Sequence, residues 1–179
     1  MSHDQYPDDL IRGILRATRS IALVGASANP ARPSWIVLKY LIERGFAVIP
    51  VNPGLAGTTI LGQTVYPSLA ALPGPVDMVE IFRNSEAAGP ITDEALALDP
   101  LPKVIWMQLS VRNDAAAARA EARGVTVIMN RCRRSNMAAS RARSAGRGST
   151  RGSSRPSARP WRRKGSRSGH WGPAPIRSG

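Results

Sequence analysis

The sequence predicts an α/β domain: a doubly wound parallel sheet of about five strands, followed by a disordered basic tail. Three observations carry this. Short, fully apolar runs alternate with helical segments, the pattern of strands buried on both faces by helices. The first run, Ile21–Val24, ends at Gly25 and small residues, and a helical segment starts soon after. Finally, all acidic residues lie before Arg133.

Taken in order, Asp8–Ala17 spaces Leu10, Ile11, Ile14 and Leu15 for a first helix. Ile21–Val24 is the first strand. Ser34–Arg44 reads as a helix with Ser34 as its N-cap, Gly45 past its end, and Trp35, Leu38, Leu41 and Ile42 as its buried stripe. Phe46–Val51 is a second strand, stopped by Asn52-Pro53-Gly54. Leu55–Pro67 reads as loop with a short extended piece at Thr64–Tyr66, and Ser68–Leu72 as one helical turn. Val76–Phe82, Val104–Leu109 and Val125–Met129 are further strands. Asp93–Leu98 and the Ala-rich Asn113–Arg123 are helices, the latter closed by Gly124. The whole is Rossmann-like. In such folds ligands sit beyond the carboxyl ends of the strands. Gly25–Ser27, Asn52–Pro53, Phe82–Ser85 and Gln108–Ser110 are therefore expected to converge on one crevice.

The chain has 179 residues and a net charge of +13. Residues 1–132 hold 12 cations and 12 acids, so that part is neutral. Residues 133–179 hold 13 cations and no acid. The expected organisation is thus a domain over 1–132 and an Arg/Ser/Gly-rich tail over 133–179, too poor in apolar residues to make a core. A single cysteine excludes an intrachain disulfide. The acidic N-terminus is unlike a signal peptide, and no apolar run approaches the ~20 residues that span a bilayer. A soluble cytoplasmic protein without membrane association is expected.

The chemistry centres on I-A-L-V-G-A-S-A-N-P-A-R-P-S at Ile21–Ser34. Strand, Gly loop and helix start aim N–H groups and a helix N-terminus at one point, which suits phosphate. The loop is not G-x-G-x-x-G: Ala26 and Ser27 stand where glycines would be, and a lone Gly often serves only the turn. Ser27, Asn29, Arg32 and Ser34 add hydroxyls, an amide and a cation, and Arg can grip phosphate bidentately. An NAD site needs an acid at the end of the second strand. Asn52-Pro53 stands there, which counts against NAD and tolerates a phosphorylated ribose. Arg83 ends the third strand at the crevice, either as a ligand contact or as a solvated charge. Gln108 either contacts ligand or satisfies loop backbone. Asp77 and Glu80 read as turn or cap residues. The two histidines, His3 and His170, lie near opposite ends, which excludes a catalytic triad, and there is no metal-ligand spacing.

These segments resemble a known family. Ile21–Ser34, G-F-A-V-I-P-V-N-P at Gly45–Pro53, I-L-G-Q-T-V-Y-P-S-L at Ile60–Leu69, P-V-D-M-V-E-I-F-R at Pro75–Arg83, V-I-W-M-Q-L at Val104–Leu109 and G-V-T-V-I-M-N-R-C at Gly124–Cys132 occur in order. Together they resemble the stand-alone CoA-binding proteins, whose Rossmann-like domain is similar to that of the succinyl-CoA synthetase alpha subunit. The resemblance implies a bound coenzyme A or acyl-CoA. Its pyrophosphate would lie on Gly25-Ala26-Ser27, helped by Arg32 and Ser34. Asn52-Pro53 and Phe82-Arg83 would border the adenosine end. No catalytic residue comes with the resemblance, so a binding protein is expected. An NAD(P)- or CoA-dependent enzyme using the same crevice is the alternative, and nucleic-acid binding through the tail is another.

The tail departs from the family, which continues past the cysteine as C-P-K-I-E-Y-G-R-L. The chain reads C-R-R-S-N-M-A-A-S. One set of codons that encodes this stretch, TGC CGA AGA TCG AAT ATG GCC GCC TC, becomes the family ending when one C is inserted after TGC. Residues 133–179 therefore read as a shifted-frame translation, retaining nucleic acid only non-specifically. Loss of the native ending would also expose apolar surface and favour self-association.

Overall fold

The computed structural model describes residues 3–132; the expectations for the tail lie outside the described residues. A five-stranded parallel sheet forms the centre. Its strands are β1 (Ser20–Val24), β2 (Ala47–Val51), β5 (Met78–Ile81), β6 (Val104–Met107) and β7 (Thr126–Ile128), in the order β2-β1-β5-β6-β7. The order reverses between β1 and β5, so the switch point lies there. A parallel bridge from Val51 to Tyr66 adds one residue pair beyond β2.

Alternate residues of each strand face opposite layers. Ile21, Leu23, Met78, Trp106 and Ile128 pack under α1 (Asp8–Ala17) and α2 (Pro33–Glu43), against Ile14, Leu38 and Leu41. Ala22, Val24, Val79, Ile81, Ile105 and Val127 pack under α3 (Ser85–Leu96) and α4 (Asp114–Ala122). Ala88, Ala95, Ala116, Ala117 and Ala120 are fully buried there, because small side chains let these helices approach each other and the sheet.

Three sequence expectations are corrected. Helix α3 starts eight residues before Asp93. Asn84 caps it, its Oδ1 accepting from Ala87 N–H at 2.9 Å. Gly89 and Pro90 obscured this helix in the sequence, yet Pro90, the sixth of its twelve residues, forfeits only one backbone hydrogen bond. Helix α2 begins at Pro33, with Arg32 as its N-cap; Ser34 is already inside it. Its buried face is Ser34, Val37, Leu38 and Leu41, rotated from the expected stripe. The segment read as loop contains a hairpin, β3 (Thr59–Ile60) and β4 (Gln63–Thr64). Leu61 (φ 51°) and Gly62 (φ 77°) form its turn, both left-handed, as a tight two-residue hairpin requires.

Asp77 serves structure, as expected of a strand-end carboxylate. It accepts from the N–H groups of Arg19 (2.8 Å) and Ser20 (3.1 Å) and from Lys103 Nζ (2.8 Å). The hydrogen bond from Lys103 is the main reason that its pKa is lowered to about 2. His3 is likewise structural, bonded to Tyr6 Oη (2.9 Å) and facing Glu121 at 3.5 Å.

Candidate functional site

The carboxyl ends of β1, β5 and β6 meet the start of α2 around a crevice of about 620 Å3. That lies within the ~300–1,000 Å3 of small-molecule sites. Of the eleven residues singled out in the sequence, nine line it: Gly25, Ala26, Ser27, Arg32, Ser34, Asn52, Phe82, Arg83 and Gln108. A smaller cavity of about 300 Å3 shares Gly25, Asn52 and Arg83 with it and adds Pro53, Pro67, Pro90 and Ile91. Asn29 lines neither. Its Oδ1 accepts from Ala31 N–H at 2.9 Å, so it shapes the turn before α2.

The loop is built around Gly25. Its φ is +88°, where a side chain is strained, and a Cβ there would sit 2.7 Å from the Phe82 carbonyl oxygen. Both Gly25 N–H and Ala26 N–H donate to the Val51 carbonyl, at 2.9 and 3.3 Å. These two loop donors are therefore taken by the sheet, contrary to the expectation that they face ligand. Ser27 Oγ accepts from Asn29 N–H at 3.2 Å.

What faces the crevice instead is the N-terminus of α2. Of the four α-helices among the described residues, α2 alone has neither a side-chain N-cap hydrogen bond nor an acid in its first turn. A helix N-terminus carries roughly half a positive charge. Arg32, Pro33, Ser34 and Val37 bring that end to the crevice. Ser34 is 5% exposed, and its hydroxyl has no hydrogen-bond partner among the described residues. Arg32 and Arg83 also line the crevice and form no ion pair among the described residues. No lining residue is acidic. The arrangement can hold an anion and offers it fixed positive charge.

Two crevice amides are committed to bonds within the protein. The Asn52 side chain donates to the Ala26 carbonyl at 2.7 Å and accepts from Gly54 N–H at 2.9 Å, bracing the loop from β2. Gln108 donates from Nε2 to the fully buried Glu80 carboxylate, a contact between neighbouring strands. Glu80 is thus a core residue that holds a crevice side chain, and not a turn or cap.

Sequence reasoning did not single out Pro33, Val37, Val111 and Cys132 as crevice residues, whereas Leu109 falls within the Gln108–Ser110 segment expected there. Pro33, Val37 and Val111 are unmarked helix or loop residues. Cys132 was noted as the single thiol and as the end of the last family-like segment, with no place at the site. It reaches the crevice because the chain after β7 is tied down: Asn130 N–H donates to the Val111 carbonyl (3.0 Å) and Trp106 Nε1 donates to the Arg131 carbonyl (2.8 Å).

Comparison with known proteins agrees with this architecture. Residues 19–137 match a family described as CoA binding domain. An uncharacterized protein of Bacillus subtilis (strain 168), YneT, is 37% identical over 122 residues, 68% of this chain and 87% of that protein. A hypothetical protein from Pyrococcus horikoshii OT3 superposes with a TM-score of 0.71 at 34% identity, over 78% of this chain and 95% of that one. A Thermus thermophilus structure does so with a TM-score of 0.70 at 32% identity, over 75% and 98%. The chain belongs to the CoA-binding domain family.

Proposed function

We propose that the crevice binds coenzyme A or an acyl-CoA by its phosphates, without catalysis by this chain. The observation that carries the reading is the set of cationic groups left without anions: Arg32, Arg83 and the N-terminus of α2. The pyrophosphate would rest between them, with the Ser34 hydroxyl as an additional donor and Ser27 at its edge. The smaller cavity beside Asn52 and Pro53, walled by Pro67, Pro90 and Ile91, would receive the adenosine end. Residues 1–132 supply this site, and the basic tail over 133–179 would attract polyanions only non-specifically.

Asn52 argues against NAD twice. It cannot accept from both ribose hydroxyls as a carboxylate does, and both ends of its amide already brace the loop. Calorimetric titration of the reduced full chain with CoA, NADP and NAD tests the reading. CoA should bind at least ten-fold more tightly than NAD. Saturable NAD binding that is tighter than CoA binding would overturn it in favour of a dinucleotide-dependent enzyme.

A further inference from the structure

We infer that Cys132 is a covalent capture site for the thiol end of the ligand, forming a mixed disulfide with CoA. The inference rests on the CoA reading and on three observations. Cys132 lines the same crevice as the loop, and it is half-buried. The crevice independently shows a candidate ligand donor, the unpartnered hydroxyl of Ser34, a residue only 5% exposed that lines it. The segment carrying Cys132 is anchored through Trp106 and Val111, so the thiol is held at the rim.

Length decides whether one ligand can touch both ends. The loop follows β1 and Cys132 follows β7, with β5 and β6 between them. Three inter-strand spacings amount to about 14 Å. The arm of CoA from pyrophosphate to sulfur has roughly 13 bonds, which at ~1.2 Å of advance per bond spans about 15 Å. A phosphate held beside Gly25 thus places the ligand sulfur near Cys132. Gln108, Leu109 and Val111 line the interval.

The reaction is thiol–disulfide exchange with CoA disulfide as co-reactant. Cys132 loses its proton to water, and the thiolate attacks one sulfur of the CoA disulfide. The Cys132 Sγ–S bond forms as the S–S bond breaks, and one CoA leaves as thiolate and is reprotonated by water. No other oxidant is required, and excess thiol reverses the step. The chain would then store CoA when CoA disulfide accumulates and release it on reduction.

Intact-mass spectrometry of the full chain mixed with CoA disulfide tests this, with the disulfide of pantetheine as a phosphate-free control. The expected result is a single CoA adduct, absent in C132S, removed by dithiothreitol, and formed at least ten-fold faster than the pantetheine adduct. In R83Q the CoA advantage should shrink towards the pantetheine rate, although the basic tail is unchanged. Equal rates for the two disulfides in the wild-type chain would overturn the inference, since they would mark an ordinary exposed thiol. No adduct despite calorimetric binding of reduced CoA would overturn it while leaving the CoA reading intact. No binding of reduced CoA would overturn both.

Discussion

The Asn52 side chain donates to the Ala26 carbonyl across 2.7 Å, and this bond ties the end of β2 to the loop after β1. It occupies the place where a dinucleotide site would keep an acid for ribose. The residue that argued against NAD in the sequence is thus also the brace of the loop. Asn52→Ala removes the donor to Ala26 and the acceptor for Gly54. A loss of about 1–2 kcal/mol is expected, seen as a Tm lower by roughly 3–6 °C. Asn52→Asp should be no better, since a carboxylate cannot donate to a carbonyl. Thermal melts of both variants check this.

Gly25→Ala should be more damaging. The new methyl meets the Phe82 carbonyl at 2.7 Å in a backbone region that disfavours side chains. Conformational strain alone costs on the order of 1–3 kcal/mol, and moving Phe82 displaces Arg83 beside it. Calorimetry should show CoA binding lost while circular dichroism retains the α/β signature. Unchanged CoA affinity in a folded variant would refute the role given to this turn.

Ser34→Ala separates fold from function. The hydroxyl has no partner among the described residues, although Ser34 as a whole is only 5% exposed, so its removal leaves no orphaned group behind. The free variant should be at least as stable as the wild type. CoA should bind about 3–10-fold more weakly, the value of one hydrogen bond. A drop in stability with unchanged CoA affinity would make Ser34 a purely structural residue.

Asp77 sets an acid-dependent part of the stability. Its pKa is about 2 in the fold, mainly through the Lys103 hydrogen bond, against ~3.9 in an unfolded chain. The folded state therefore favours the charged form. This contribution is complete above about pH 4 and disappears as pH falls towards 2. Because Lys103 is exposed, it amounts to on the order of 1–2 kcal/mol. Denaturant titrations of wild type and Asp77→Asn should differ by that amount at pH 7 and converge near pH 2.

Much of this was legible in the chain. Strands β1 and β2 announce themselves because each is a short apolar run ended by Gly25 or Asn52-Pro53. Helix α3 was truncated because Gly89 and Pro90 look like breakers, although the helix tolerates both in its interior. The Thr59–Thr64 hairpin carries no Asn-Gly signal; Leu61 takes the left-handed position because the two short strands force it there. At the site, Gly25 and Arg83 follow from position at strand ends, and Arg32 from its place at the start of α2. The pairing of Gln108 with Glu80 does not, because it runs between adjacent parallel strands that are 28 residues apart in sequence. The placement of Cys132 likewise depends on the anchoring of residues 130 and 131 by Val111 and Trp106.

The central claim is that Arg32 and Arg83 hold the ligand's phosphates in the crevice. The most direct test is calorimetric titration of CoA into the reduced full-length chain and into its R32Q/R83Q double variant at the same salt concentration. Both proteins carry the same basic tail, so tail-driven attraction cancels. Each hydrogen-bonded charge contributes about 1.5–3 kcal/mol, so the account predicts at least a 100-fold weaker Kd in the double variant. Equal affinity in the two proteins would contradict it, placing CoA outside this crevice.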